Sequence, residues 1–288
     1  MSEHKTFYNL KRFKLFDWLS IGYVSIWIIL ILIFHRRIIS PAIFLALHLG
    51  VFFTIFLLAG LNPTATLLKI VRRWYQFFLV PLFFAALHYL IPAIHPGNID
   101  FELIRIDYLL LGAHPTLWFE KFHHLWLTEI LQLSYLGFYV LGFILAIPLY
   151  VQNRIKEYDR LAFNILLTFY ISYLGYLIFP ALGPRFFLAH LQNFPVSGSS
   201  IYSAVSHALN DLENIQWDAF PSGHVAITLI FSRFLFLYLR RTFYITLPLV
   251  ILLVISTVYL RYHYLVDILA GFMLFGIVTW IDCRIYHT

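Results

Sequence analysis

An all-α fold, a polytopic bundle of transmembrane helices with about eight spans, is what this sequence predicts. Three observations carry that expectation. Hydrophobic residues make up 61% of the 288 residues and charged residues only 12%, whereas a soluble domain is about a quarter charged. The apolar residues come in runs close to the ~20 residues that a helix needs to cross the hydrocarbon core. The stretches between the runs hold most of the charge, and no soluble domain fits between them. A soluble core could not bury this much apolar surface and still leave a polar exterior.

The first run, 16–34, follows Lys11, Arg12 and Lys14 as the apolar part of a signal peptide would. It is long, lacks a small-residue cleavage site and ends at His35-Arg36-Arg37, so it reads as a retained helix. Further spans are expected at 39–61, 74–94, 129–150, 161–180, 221–239, 243–260 and 264–284. Two connections are long. The first, 95–128, contains the apolar stretch 101–111, too short to span and suited to the interface or to re-entry. The second, 181–220, is marked by Gly, Pro, Ser and Asn and reads as an ordered loop with a short helix near 201–213. Residues 1–288 are expected to form a single integral membrane domain, with 1–94 adding N-terminal spans and 95–288 carrying the motifs below.

The net charge is +6. Nucleic acid is not an expected partner, because the basic residues sit in short clusters between apolar runs, as membrane orientation requires. One side collects Lys5, Lys11, Arg12, Lys14, Lys69, Arg72, Arg73, Arg154, Lys156, Arg160, Arg240, Arg241 and Arg284. The other has Arg36, Arg37, Arg105, Lys121, Arg185 and Arg261. That bias of roughly two to one places both termini in the cytoplasm and both long loops on the extracytoplasmic face. The single cysteine, Cys283, excludes an internal disulfide.

Ionisable residues at membrane level are costly and need a reason. Three polar clusters fall at one membrane face in this topology: Gly183-Pro184-Arg185, Phe220-Pro221-Ser222-Gly223-His224, and Arg261-Tyr262-His263-Tyr264-Leu265-Val266-Asp267. His263 and Asp267 are four apart and would share one helix face. A carboxylate that accepts from one ring nitrogen makes the other a better nucleophile or base, although such a pair also arises by chance in many helices. Pro221 suits a first helical turn. The Ser222 hydroxyl and the free backbone N–H groups around Gly223 can bind a phosphate there, and His224 can protonate a leaving oxygen. The same tetrapeptide is also an ordinary capped loop-to-helix transition. Arg185 offers a planar fork that matches phosphate oxygens, or else reaches for lipid headgroups. Arg261 has the same two readings. Together, two histidines, an oriented carboxylate, a helix N-terminus and an arginine at one depth make a set suited to phosphoryl transfer. No acidic cluster offers magnesium sites, so the expected reaction is metal-independent, uses no cofactor and passes through a phosphohistidine.

Pro221-Ser222-Gly223-His224 resembles the central motif of the type-2 phosphatidic acid phosphatase superfamily. His263-x-x-x-Asp267 resembles the end of its third motif, and Gly183-Pro184-Arg185 a variant of its first. Asp107-Tyr108-Leu109-Leu110-Leu111-Gly112-Ala113-His114-Pro115 is similar to a pattern of the inositol phosphorylceramide synthase-like branch, as are Phe220 and Tyr259-Leu260. The resemblance covers roughly 100–285. It implies a membrane bundle with a six-helix core, His263 as nucleophile, Asp267 as its orienting group and His224 as general acid and later base. It also implies Arg185, Ser222 and the Gly223 backbone as phosphate ligands, with Arg261 as a partial substitute for a missing arginine. Two positions depart from the family pattern: Thr257 stands where the third motif has an arginine, and Ile178 where the first has a lysine.

Other polar residues carry quieter expectations. His123, His124 and Glu120 fit an interfacial belt better than a metal site. His48 and His88 are expected to be hydrogen-bonded between helices, and Asp17 to lie at the interface. The leading expectation is a lipid phosphatase whose substrate enters from the bilayer. A transferase of the same fold, moving a phospho-headgroup to a lipid alcohol, shares the first half of the chemistry. A transporter is the non-enzyme alternative, but neither inverted repeats nor paired broken helices are present.

Overall fold

The computed structural model describes residues 10–198, 203, 205–206 and 217–286. The short helix expected near 201–213 falls mostly outside them. The described residues are mostly helical, and Ala181 and Asp218 form an isolated parallel bridge. Among the described residues seven helices are long and apolar enough to cross a membrane, so the chain is a polytopic helical bundle. It forms two compact units, Met1–Ile94 and His95–Thr288.

The first unit holds α1 (Leu15–Phe34), α2 (Pro41–Gly60) and α3 (Thr66–Ile94). Its core is aromatic: Trp27 and Tyr23 of α1 pack on Phe83 of α3, with ring centroids 5.5 and 4.9 Å apart. α3 begins eight residues before the expected 74. The basic Lys69, Arg72 and Arg73 masked this start, yet Arg72 is buried in an ion pair with Asp17 at 2.6 Å. Asp17 also accepts from Tyr75 Oη and the Lys14 N–H. It is fully buried, and a buried carboxylate is tolerable once a guanidinium and other donors surround it. His48 also differs from expectation. Its Nδ1 bonds to the Phe44 carbonyl of its own helix at 2.7 Å, and its ring stacks on Trp27 at 5.2 Å.

The second unit begins with α4 (Asp100–Leu111) and the single-turn α5 (Pro115–Trp118). The long helices α6 (Leu125–Val151) and α7 (Ile155–Ile178) follow, then the short α8 (Pro184–Phe187). α9 (Gly223–Tyr238), α10 (Arg240–Tyr259) and α11 (Leu265–Tyr286) complete it. α9 packs against α6, α7, α10 and α11. It has only 16 residues, about 24 Å at 1.5 Å per residue, and so falls short of the span expected at 221–239. Protein rather than lipid surrounds it, so its length need not match the bilayer. α4 inverts the usual soluble pattern. Phe101, Tyr108, Leu109, Leu110 and Leu111 are exposed, whereas Asp100, Leu103 and Asp107 are buried.

At the end of the unit remote from α9's first turn, Asp282 of α11 joins three helices. It meets Arg160 of α7 at 2.5 Å and Arg233 of α9 at 2.8 Å, and accepts from Asn164 Nδ2 at 2.8 Å. Asp282→Ala would leave two mostly buried guanidinium groups without a counter-charge. The expected loss is about 3 kcal/mol or more of unfolding free energy, read by denaturation in detergent beside the wild type. A change below about 0.5 kcal/mol would mean that solvent already neutralises the cluster.

Candidate active site

The site is assembled at one end of the second unit from loops that backbone hydrogen bonds stitch together. The Ala219 N–H donates to the Ala181 carbonyl (3.1 Å), joining the segment before α9 to the segment before α8. The Ser222 N–H donates to the Asp267 carbonyl (3.1 Å), joining the start of α9 to α11. All three sequence clusters therefore meet.

α9 starts as its sequence dictates. Ser222 is the N-cap and its Oγ accepts the Val225 N–H at 3.3 Å. The hydroxyl that the sequence offered as a phosphate ligand is thus buried and serves first as a cap. At Gly223 a Cβ would lie 2.6 Å from Tyr176 Oη, so only glycine allows this approach of α9 to α7. Its backbone N–H is in the first turn, where a helix leaves donors without internal partners. His224 follows. Its Nε2 lies 2.9 Å from Tyr135 Oη, and its ring packs on Phe138 at 4.5 Å between centroids.

His263 is reached from the other direction. α10 ends in a paired-hydrogen-bond cap: Tyr262 N–H donates to Thr257 O (2.9 Å) and Arg261 N–H to Val258 O (3.0 Å). The left-handed position of that cap usually belongs to glycine, but here Arg261 occupies it with φ 64°. The strain, roughly 1–2 kcal/mol for a residue with a Cβ, persists because the side chain is held. Arg261 Nη2 meets Glu120 Oε1 at 2.8 Å, and Nη1 donates to Gln192 Oε1 (2.6 Å) and the Phe194 carbonyl (2.8 Å). These partners occupy the guanidinium proposed from sequence as a phosphate ligand. Glu120, expected in an interfacial belt, instead supplies its counter-charge.

The turn places His263 two residues before α11 begins. His263 therefore precedes the helix that carries Asp267, and the turn rather than a shared helix face brings the two side chains together, with the Ala219 carbonyl as the nearer partner of Nδ1. His263 Nδ1 lies 2.8 Å from the Ala219 carbonyl and 3.5 Å from Asp267 Oδ2. A carbonyl can only accept, so Nδ1 carries a proton and, in the neutral ring, Nε2 carries the lone pair. Asp267 Oδ2 accepts the Tyr264 N–H at 2.8 Å, as an acidic third helical residue does in a capping box. Asp267 thus sets the start of α11 and stands beside the His263 ring. The two histidine rings face each other at 5.8 Å between centroids.

Arg185 belongs to the same group. Its guanidinium lies 5.6 Å from the Tyr262 ring centroid, Tyr262 stacks on Tyr135 at 4.5 Å and 15°, and Tyr135 holds His224. Gly183, two residues earlier, is obligatory: its φ is +84° and a Cβ would stand 2.9 Å from the Tyr262 carbonyl. Ile178, where the family pattern has a lysine, is exposed.

Sequence reasoning passed over four contributors. Tyr135 and Tyr262 were hidden among many aromatic residues. Asp100 and Asp107 carry the remaining polar contacts of the site. Asp100 accepts from the Leu182 and Gly183 N–H groups (2.8 and 2.9 Å) and from Tyr264 Oη (2.8 Å). Asp107 accepts from the Leu265 and Val266 N–H groups (2.9 and 2.8 Å). Burial pushes both carboxyls above the usual carboxylate range, and these donors pull them part of the way back. Asp107 gave a signal as the first residue of the segment that carried the branch resemblance, and Tyr262 lay within the third cluster without a role of its own. Among the described residues no three His, Cys, Asp or Glu side chains group as metal ligands.

Comparison with known proteins bears on this arrangement. The PAP2 superfamily matches residues 102–281, which include α4 from its third residue onward and all three clusters. A PA-phosphatase related-family protein of Dictyostelium discoideum is 30% identical over 164 residues, covering 50% of this chain and 30% of that protein. The match therefore spans less than a third of that relative's length. No solved structure matches the chain.

Proposed function

The chain belongs to the PAP2 superfamily, and from that premise we propose that it hydrolyses a lipid phosphate monoester through a phosphohistidine, without a metal. The observation that carries this reading is the Nδ1 bond of His263 to the Ala219 carbonyl. It fixes the tautomer whose Nε2 can attack phosphorus. In the first step the Nε2–P bond forms as the P–O bond to the lipid alcohol breaks, and His224 gives that oxygen a proton. In the second, His224 takes a proton from water as the water oxygen displaces the phosphoryl group from His263. Arg185 and the N-terminus of α9 hold the charged phosphate oxygens. Asp267, beside His263, balances the charge that its ring gains. Arg261 enters as the group that shapes the turn before His263 rather than as a phosphate ligand. The substrate comes from the bilayer, with its phosphate at the membrane face that carries the two long loops; the extracytoplasmic face fits the charge bias.

The test is phosphate release from a panel of lipid phosphates in detergent with EDTA, with trapping of the labelled enzyme. Release together with an acid-labile, alkali-stable phosphoenzyme supports the reading. A phosphoenzyme that discharges only to an added lipid alcohol would replace hydrolysis with transfer. Absence of both would overturn the reading.

Tyr135 sharpens it. If Tyr135 holds His224 in place, Tyr135→Phe lowers kcat about tenfold, the equivalent of one hydrogen bond to an ionising group. It also moves the limb of the pH–rate profile that reports His224. An unchanged profile would reduce the tyrosine to packing.

A further inference from the structure

α11, the helix that follows His263, begins without a capping side chain of its own. The residue before it is Tyr264, which has no short polar group to turn back on the first N–H donors. Three consecutive donors are satisfied by carboxylates all the same. Tyr264 N–H goes to Asp267, and Leu265 and Val266 N–H go to Asp107. Asp107 is imported from α4, more than 150 residues away in sequence. About two turns earlier on α4, Asp100 takes the Leu182 and Gly183 N–H groups just ahead of Arg185, and also Tyr264 Oη. Between the two acids, Leu103 packs with Ala181, Leu188, Ala219 and Tyr264. Ala219 is the residue whose carbonyl holds His263. One face of one short helix thus meets the Arg185 loop, the apolar cluster that includes Ala219 and the first turn of α11. The exposed side of α4 is largely apolar, with Glu102 and Arg105 among its residues, whereas Asp100 and Asp107 are the buried acids and each holds backbone donors of another segment.

We propose that α4 is a positioning element for catalysis: Asp100 sets the loop that presents Arg185, and Asp107 sets the helical turn that presents His263. Neither acid touches the reacting atoms. The proposal rests on the phosphohistidine reading and divides it into two measurable parts. Loss of Asp100 loosens phosphate capture. Loss of Asp107 frays the turn beside the nucleophile. An asparagine at either position keeps one acceptor oxygen but puts an amine where the second N–H points.

The experiment is steady-state kinetics of Asp100→Asn and Asp107→Asn on a lipid phosphate in mixed micelles, normalised to folded protein by size exclusion. Misplacement of a reacting group by about 1 Å costs on the order of a hundredfold. Asp107→Asn is accordingly expected to lower kcat about 10- to 100-fold with KM within about threefold. Asp100→Asn is expected to raise KM, and the Kd for orthovanadate, about tenfold with kcat within about threefold. A purely structural role would lower the yield of both proteins and leave their constants alike, and that result overturns the proposal. Amide hydrogen exchange supplies a readout free of turnover. Faster exchange at Leu265 and Val266 only in Asp107→Asn, and at Leu182 and Gly183 only in Asp100→Asn, supports the two-part clamp. No difference overturns it, even if the wild type proves inactive. A wild type that neither releases phosphate nor binds orthovanadate would instead overturn the phosphatase reading.

Discussion

His263→Ala is expected to lower phosphate release by about 10⁴-fold or more, because covalent catalysis cannot begin without its nucleophile. The residue is almost fully buried, so its loss also leaves the Ala219 carbonyl without its donor. That costs about 1–3 kcal/mol and would confuse a single variant. His263→Gln resolves the point. Its amide can still donate towards Ala219, but amide nitrogen is not a nucleophile. Both variants should be silent in release and in phosphoenzyme trapping, and His263→Gln should unfold closer to the wild type. A phosphoenzyme surviving in either would move the covalent step to another residue and remove the reading.

The same residue marks where sequence reasoning reached its limit. The spans were legible because a bilayer demands long unbroken apolar runs, and those runs are local. The convergence of Arg185, His224 and His263 was legible as well, because each cluster adjoins the end of a span and span counting sets the side. What failed was pairing at a distance. Four-residue spacing between His263 and Asp267 reads as one helix face only if the helix includes both, and the cap at Arg261 delays it. A sequence does not announce that an arginine will take a left-handed turn, since the glycine that usually signals one is absent. Arg261 and Glu120 are 141 residues apart and Arg72 and Asp17 are 55 apart. Each looked like a separate interfacial charge until its partner arrived. Asp100 and Asp107 illustrate the converse. The segment 101–111 read only as a short apolar stretch for the interface or re-entry, yet these two acids form the buried side, because backbone donors of other segments meet them.

His224 gives the second large effect and the more discriminating one. General acid–base catalysis contributes about 10²- to 10⁴-fold, so His224→Ala is expected to slow hydrolysis of an alkyl lipid phosphate by that range. The alkoxide leaving group is a strong base and needs a proton as the P–O bond breaks. An aryl phosphate leaves as a weak base and does not. If His224 is the acid of the first step, the deficit in phosphoenzyme formation shrinks to within about tenfold on an aryl substrate, whereas the His263→Ala deficit stays whole. The second step then becomes visible. Water must still be activated, and without His224 the phosphoenzyme accumulates, giving a burst of aryl alcohol followed by slow turnover. The two ring centroids are 5.8 Å apart, which puts His224 beside the residue that would carry the phosphoryl group and lets one histidine serve both steps. Equal deficits on alkyl and aryl substrates, with no burst, would show that His224 supports the site without moving the proton.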